Sequence, residues 1–260
     1  MANITILKEQ LPWSGKEKRY TLEEIGVAML LHIEKNRMNE CLMNADDFLR
    51  RIGCQHPKDA DYEWLDQIIN SLCNRDYDDD YIVVSNNGNE VHTRAKRNIG
   101  VDVNYNFYKA HRLYITVDEK EINRIRELCK ETKSDFFTAI GIYMAICECS
   151  EYYKGFSDKG DEIVGYIGFI SKANIAFKVG KSETTVGRYL NMMEGAKLIG
   201  VYHSDIWMST NSYAIPCDDF LIDLSEKRTC RKMKEFEEDE KEKTAGIKFS
   251  YHKKHYGGVC

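Results

Sequence analysis

The sequence lacks any run of about 18 apolar residues, which excludes a membrane-spanning helix. The opening stretch Met1-Ala-Asn-Ile-Thr5 lacks the basic-then-apolar pattern of a signal peptide, so the expected compartment is the cytoplasm. No Cys-x-x-Cys pair occurs among the nine cysteines. They are scattered, odd in number and set mostly inside apolar runs, as at Cys73, Cys129 and Cys147. Such residues read as small buried hydrophobes in a reducing compartment, not as disulfide partners or zinc ligands. No Ser-His-Asp, Cys-His or paired-carboxylate arrangement stands out, and there is no low-complexity tract or strict repeat. The expectation is a protein that is not an enzyme and carries no cofactor and no metal.

What is present bounds the rest. With 260 residues, 43% of them hydrophobic, the chain can bury one large core or two small ones. The net charge of −5 counts against a nucleic-acid binder. Binding, however, answers to the local field at the contact face. The acidic excess is concentrated at Asp76–Asp80 and Glu235–Glu242, and either block could lie away from a DNA-facing surface.

Three patterns resemble sites without completing them. Lys178-Val-Gly-Lys-Ser182 looks like the end of a phosphate-binding loop, but Ile175 stands where that loop needs glycine, and the segment before it reads as helix. The Asp76–Asp80 cluster lacks the central glycine and distal glutamate of a helix-loop-helix calcium site. His252, His255 and Cys260 offer no fourth ligand for zinc.

The order of elements is more informative. Thr21 and Glu24 form a capping box ahead of an apolar stripe at Leu22, Ile25, Met29 and Ile33. A short extended piece at 40–43 follows. Then come a helix at 45–52 ended by Gly53 and a helix at 60–73 with Leu65, Ile68, Ile69 and Leu72 inward. Runs 81–85 and 90–93 flank Asn86-Asn-Gly-Asn89, which predicts a hairpin. Residues 94–117 read as a connector with extended segments, and Asp118 caps a helix to about Lys133. The second half repeats the order. It has a long helix capped by Ser134, a polar loop at 154–162, a strand at 163–170, helices at 172–179 and 182–195, and strands at 198–204 and 212–215. The stretch 226–243 is almost wholly charged and reads as either a solvated helix or disorder.

The segment Asn174-Ile-Ala-Phe-Lys-Val-Gly-Lys-Ser-Glu-Thr-Thr-Val-Gly-Arg-Tyr-Leu-Asn191 assigns a physical job to each position. Ala176 is small enough for two helices to cross closely, and Val179 fills the angle between them. Gly180 supplies the positive φ of a tight turn, and Ser182 caps the next helix. Val186, Leu190 and Met193 make a buried face, which turns Glu183, Thr184, Gly187, Arg188 and Asn191 outward.

This segment resembles the helix-turn-helix of GntR-type and related winged-helix regulators, over residues 171–216. One position departs: those helices often carry arginine where this chain has Gly187, and the arginine falls one place later, at Arg188. The resemblance implies double-stranded DNA as the partner. Ser182, Thr184, Thr185, Arg188 and Asn191 would meet the major groove, and Lys172, Lys178 and Lys181 would hold phosphates. The loop after the recognition helix, with Tyr202, His203, Trp207 and Ser209, has neither Lys nor Arg, so insertion into the minor groove is weakly supported. Arg94, Lys96 and Arg97 follow the first hairpin and read equally as phosphate contacts or as a solubilising linker.

The expected fold is mainly α with small β-hairpins, built as two tandem winged helix-turn-helix domains. Residues 1–98 form the first and 118–218 the second, with a linker at 99–117 and a charged tail at 219–260. The acidic start of the helix at 61–73 (Asp61, Glu63, Asp66) makes the first unit a poor reader of DNA, and it is free to dimerise or to meet a protein partner. The architecture is similar to that of initiators of plasmids and other mobile elements. The expected function is a sequence-specific regulator of transcription. The alternatives are a replication or partition initiator, and a protein-interaction adaptor without DNA. A homodimer is expected, because one reading head covers a half-site.

Overall fold

The computed structural model describes residues 3–15, 20–75, 82–86, 89–93, 98–105, 114–156, 160–203, 210–232, 234, 235 and 238. Its helices and small antiparallel sheets make a mixed α/β protein. Strand β1 is Asn3–Leu7, followed by a 3-10 turn at Lys8–Gln10. The first half then runs α1 (Leu22–Glu34), β2 (Glu40–Asn44), α2 (Ala45–Arg51), α3 (Asp59–Cys73), β3 (Ile82–Ser85) and β4 (Asn98–Tyr105). Strand β5 (Tyr114–Asp118) and helix α4 (Glu119–Thr132) lead into the second half. That half runs α5 (Phe136–Glu148), β6 (Ser150–Phe156), β7 (Glu162–Ser171), α6 (Lys172–Val179), α7 (Glu183–Gly195), β8 (Gly200–His203) and β9 (Thr210–Ile215). A last helix, α8, follows over 219–232.

Both halves repeat one topology. In the first, the strand after the leading helix pairs with the last strand, which pairs with the middle one, in the order β2-β4-β3. In the second, β7-β9-β8 has the same order, with β6 added outside β7. The N-terminus is tied to the middle of the chain, because β1 pairs with β5 from Asn3↔Asp118 to Leu7↔Tyr114.

The helix starts follow local chemistry. Thr21 and Glu24 form the capping box of α1, with Glu24 N donating to Thr21 Oγ1 at 3.1 Å and Thr21 N donating to Glu24 Oε2 at 2.8 Å. Asn44 caps α2 and Asp118 caps α4. The cap of α5 is Asp135, not Ser134: its carboxylate accepts from the Phe137 and Thr138 amides. An ionised acceptor one residue further along wins over a hydroxyl.

Four expectations change for tertiary reasons. The partner of β3 is β4, not residues 90–93. Side chains of α3 take the backbone groups of 91–93 instead. Asn70 both accepts from Val91 N (2.7 Å) and donates to Val91 O (3.0 Å), and Asp66 accepts from Thr93 N (2.7 Å). The connector expected at 99–117 begins with the central strand of the first sheet and ends with the partner of β1. The polar loop expected at 154–162 is partly strand β6, an edge strand with no fully buried position, so it leaves no apolar alternation in the sequence. The tail expected from 219 begins with α8, whose Leu221 is fully buried. Ser225 Oγ of α8 donates to Tyr213 O (2.8 Å), and Thr229 Oγ1 accepts from the buried Ser212 hydroxyl (2.6 Å).

A single buried cluster runs from Ile4 to Ile215 and joins both halves. At its centre lies α5, apolar on every side and buried from Phe136 to Cys147 apart from the half-buried Phe137. It crosses α1 through two glycines. A Cβ on Gly26 would stand 2.6 Å from Phe137 of α5, and one on Gly141 would stand 2.7 Å from Leu22 of α1. Trp64 of α3 packs on Phe137 with ring centroids 5.6 Å apart. Cys41, Cys129 and Cys147 are buried, and burial pushes the Cys129 thiol up to about 12, far from reactive thiolate.

Two outcomes follow from this packing. Gly26→Ala should lower stability by about 1–3 kcal/mol, read as the shift of the urea midpoint, because the Phe137 ring must move in a close-packed core. His32 of α1 is buried, and its pKa is held down at about 4 from 6.5, by burial first and by Lys35 second. The unfolded chain therefore takes up that proton at higher pH than the folded one. Stability contributed by neutral His32 is full above pH 6.5 and is lost as pH falls towards 4. The stability difference between wild type and His32→Leu should therefore drift in the variant's favour across that window. A pH-independent difference would remove His32 as the source.

Candidate nucleic-acid interface

The helix pair α6–α7 is set by three local devices. Ser171 caps α6 by accepting from Asn174 N at 3.1 Å. Gly180 takes φ +64° and ends α6, a conformation in which a side chain is strained. Ser182 caps α7 by accepting from Thr185 N at 3.2 Å, and its hydroxyl also bonds the Thr185 hydroxyl at 2.9 Å. Ser182 and Thr185 are thus occupied with one another at the helix start, which leaves Ser182 a cap first and a contact second.

The face of α7 divides cleanly. Val186, Tyr189, Leu190 and Met193 are buried, while Lys181, Ser182, Glu183, Thr184, Arg188 and Asn191 are exposed. Thr185 and Gly187 lie between. Lys172, at the start of α6, runs its stem past Gly187. Its Nζ lies 3.9 Å from where a Cβ on Gly187 would stand, an ordinary contact distance. Arg188 is exposed, with its guanidinium carbon 5.3 Å from the Tyr189 ring centroid. The outward surface therefore gathers Lys172, Lys181, Arg188 and Asn191. Glu183 and Glu194 share a groove of about 380 Å³ with Lys172 and Asn191, between α7 and strands β8–β9.

Lys178 does not join this surface. Its Nζ lies 2.9 Å from Glu148 Oε2 on α5 and 5.5 Å above the Trp13 ring. Trp13 Nε1 donates to the same carboxylate at 2.5 Å. This partly buried lysine ties α6 to α5 and to the N-terminal segment. The lysine expected to hold phosphate thus has the Glu148 carboxylate as a partner within the fold. Arg94, Lys96 and Arg97 lie outside the described residues, as do Trp207 and Ser209 of the expected loop. On α3, Asp61 accepts from Lys58 N (2.7 Å) and Asp66 holds Thr93, so two of the acidic residues read at its start serve the fold.

Sequence reasoning missed the groups that aim α7. The Tyr189 hydroxyl accepts from Asp135 N at 2.8 Å, which fixes the helix against the start of α5. Arg124 of α4 donates to Ala196 O and Lys197 O, each at 3.2 Å, and satisfies carbonyls at the end of α7. Tyr189 could have been found from its spacing to Val186 and Met193. Arg124 carries no local signal. Phe177, 85% exposed on α6, is an apolar side chain on the outward side that the sequence reading left unassigned. The basic start of the C-terminal segment is paired within the protein: Arg228 and Lys232 both reach Glu151, at 2.7 and 3.0 Å.

Comparison with protein-family models and with curated proteins returns no match for this chain.

Ser182→Ala should cost about 1 kcal/mol of stability through loss of the cap. Ser182→Asp, which restores an acceptor, should recover most of it in thermal unfolding. An alanine variant as stable as wild type would show that the Thr185 amide finds another partner.

Proposed function

We propose that this chain is a sequence-specific double-stranded DNA-binding protein, a regulator of transcription, built from two tandem winged helix-turn-helix units. Helix α7 is the reading helix of the second unit. The observation that carries this reading is the exposed face of α7, where Thr184, Arg188 and Asn191 project outward while Val186, Tyr189, Leu190 and Met193 are buried.

On this reading α7 enters the major groove by its N-terminal half. Arg188 pairs with guanine and Asn191 with adenine, while Thr184 meets a phosphate or a thymine methyl. Lys172 and Lys181 hold the backbone on either side, and the amides at the start of α7 favour phosphate. Glu183 and Glu194 line the same groove as Lys172 and Asn191 and offset part of the positive charge there. The working form is a homodimer, since one head reads a half-site. The protein acts in the cytoplasm.

A second reading, a replication or partition initiator of a mobile element, is supported by the repeated sheet order β2-β4-β3 and β7-β9-β8. Two units of one topology in one chain can lie on neighbouring stretches of duplex. Selection of genomic fragments separates the two readings. A single operator beside a promoter supports the regulator, and an array of spaced repeats supports the initiator.

Arg188→Ala should relax discrimination by about 1–3 kcal/mol at the base pair it reads. Lys181→Ala should weaken all sequences alike and reduce the slope of log affinity against log salt by about one. Both are measured by titration of labelled duplexes at two salt concentrations. Unchanged selectivity in Arg188→Ala would remove α7 as the reader. No salt-sensitive binding by the wild-type protein would leave a protein-interaction adaptor.

A further inference from the structure

A cleft of about 760 Å³ lies between β5, the starts of α4 and β6, and strand β7, away from the outward face of α7. Its size falls within the ~300–1,000 Å³ of small-molecule sites. Four tyrosines line it. Tyr114 and Tyr152 stand at the mouth, 51% and 61% exposed. Tyr166 pairs with Tyr152 across β6–β7, the ring centroids 5.5 Å apart in an edge-on arrangement, and its hydroxyl is bonded by Thr116 of β5. Tyr143 of α5 lies at the floor, only 2% exposed. No hydrogen bond to its hydroxyl is found among the described residues.

The charge on the lining is acidic. Asp118 and Glu121 both line the cleft; burial first, then Cys147, with Glu121 and Asp118 adding less, raises the Tyr143 hydroxyl's pKa. Asp118 also accepts from Lys120 N (2.8 Å), and Glu121 pairs with Arg124 (3.0 Å), so each carboxylate is held in place. Lys8 is the cation on the lining. Its Nζ donates to Glu148 O at 2.8 Å, which directs it to the end of α5. An occupant therefore meets aromatic rings, a buried hydroxyl and two fixed carboxylates.

We propose that this cleft binds an aromatic organic cation, a protonated arylalkylamine in particular. The ring stacks with Tyr152 and Tyr114, and the ammonium lies over tyrosine faces towards Asp118 and Glu121. One N–H donates to the Tyr143 hydroxyl on the cleft floor. An anion would be repelled by the carboxylates. Glu121 is already paired with Arg124, so a neutral isostere would fill the volume but leave Asp118 without a cation. The cleft floor is α5, which also packs against α6 and α7, so an occupant sits one helix away from the proposed reading surface.

The test uses the full chain and no DNA, so it stands apart from the DNA-reading proposal. Calorimetric titration compares 2-(2-naphthyl)ethylammonium with 2-(2-naphthyl)ethanol, which matches its shape and lacks its charge. The ammonium should bind saturably and about tenfold more tightly than the alcohol. Tyr152→Ala, at an exposed position that leaves the core intact, should weaken the ammonium by about tenfold. Tyr143→Phe, which removes only the hydroxyl, should weaken it a few-fold and leave the alcohol nearly unchanged. Equal binding of the two compounds, no heat up to millimolar ammonium, or indifference to Tyr152→Ala would overturn the proposal. If Tyr143→Phe does not fold, the Tyr152 variant decides.

Discussion

The close crossing of α1 and α5 is the constraint on which the rest depends. Each helix gives up a side chain where the other inserts one. Gly26 faces Phe137, and Gly141 faces Leu22. Two leading helices that elsewhere would each belong to a separate small core here share one. Helix α5 is apolar on all sides because it has neighbours on all sides: α1, α4, α6, α7, β5 and both β6 and β7. Protein interiors pack too densely to absorb a methyl group at such a point without movement. The placement of α6 and α7 is therefore inherited from the same crossing that joins the halves.

The reading surface we assign depends on that inheritance. Helix α7 is aimed by groups on three other elements. The Asp135 amide at the start of α5 meets Tyr189, Arg124 of α4 meets the carbonyls at the end of α7, and α6 lies across its start. Lys178 binds α6 to Glu148 and Trp13, far along the chain. A reader of base edges must hold its side chains to within a fraction of an ångström, and anchors of this kind serve that need. The lysines that remain outward, Lys172 and Lys181, sit beside Gly187 and at the turn, where the helix pair presents its own positive end. The acidic net charge does not by itself oppose this, because contact answers to the local field at the face and not to the sum over the chain.

The cleft beside β5 arises from the same architecture seen from the other side. Closing β1 onto β5 brings the edge of a two-stranded ribbon against a second sheet. The two do not merge into one ladder. The space left between them is lined by the tyrosines of β5, β6 and β7 and floored by α5. A ligand site and a reading surface would then share a single central helix, the kind of shared rigid element through which two sites can be coupled.

The sequence by itself determined the elements whose signals are local. The Thr21–Glu24 box, the caps at Asp118 and Ser182, the turn at Gly180 and the division of α7 into buried and exposed faces all follow from spacing and short-range hydrogen bonds. The repeated order of elements was legible for the same reason. Only the tertiary structure decided which strands pair. Strand β3 takes β4 across an intervening segment because Asn70 and Asp66 of α3 capture residues 91–93, and no local pattern encodes that capture. It also decided that 219–232 is a docked helix, through the buried Leu221, Ser225 and Thr229. It gave Lys178 the Glu148 carboxylate as a partner. In each case the deciding group lies far away in sequence, and a side chain's role depends on the partner that the fold brings to it.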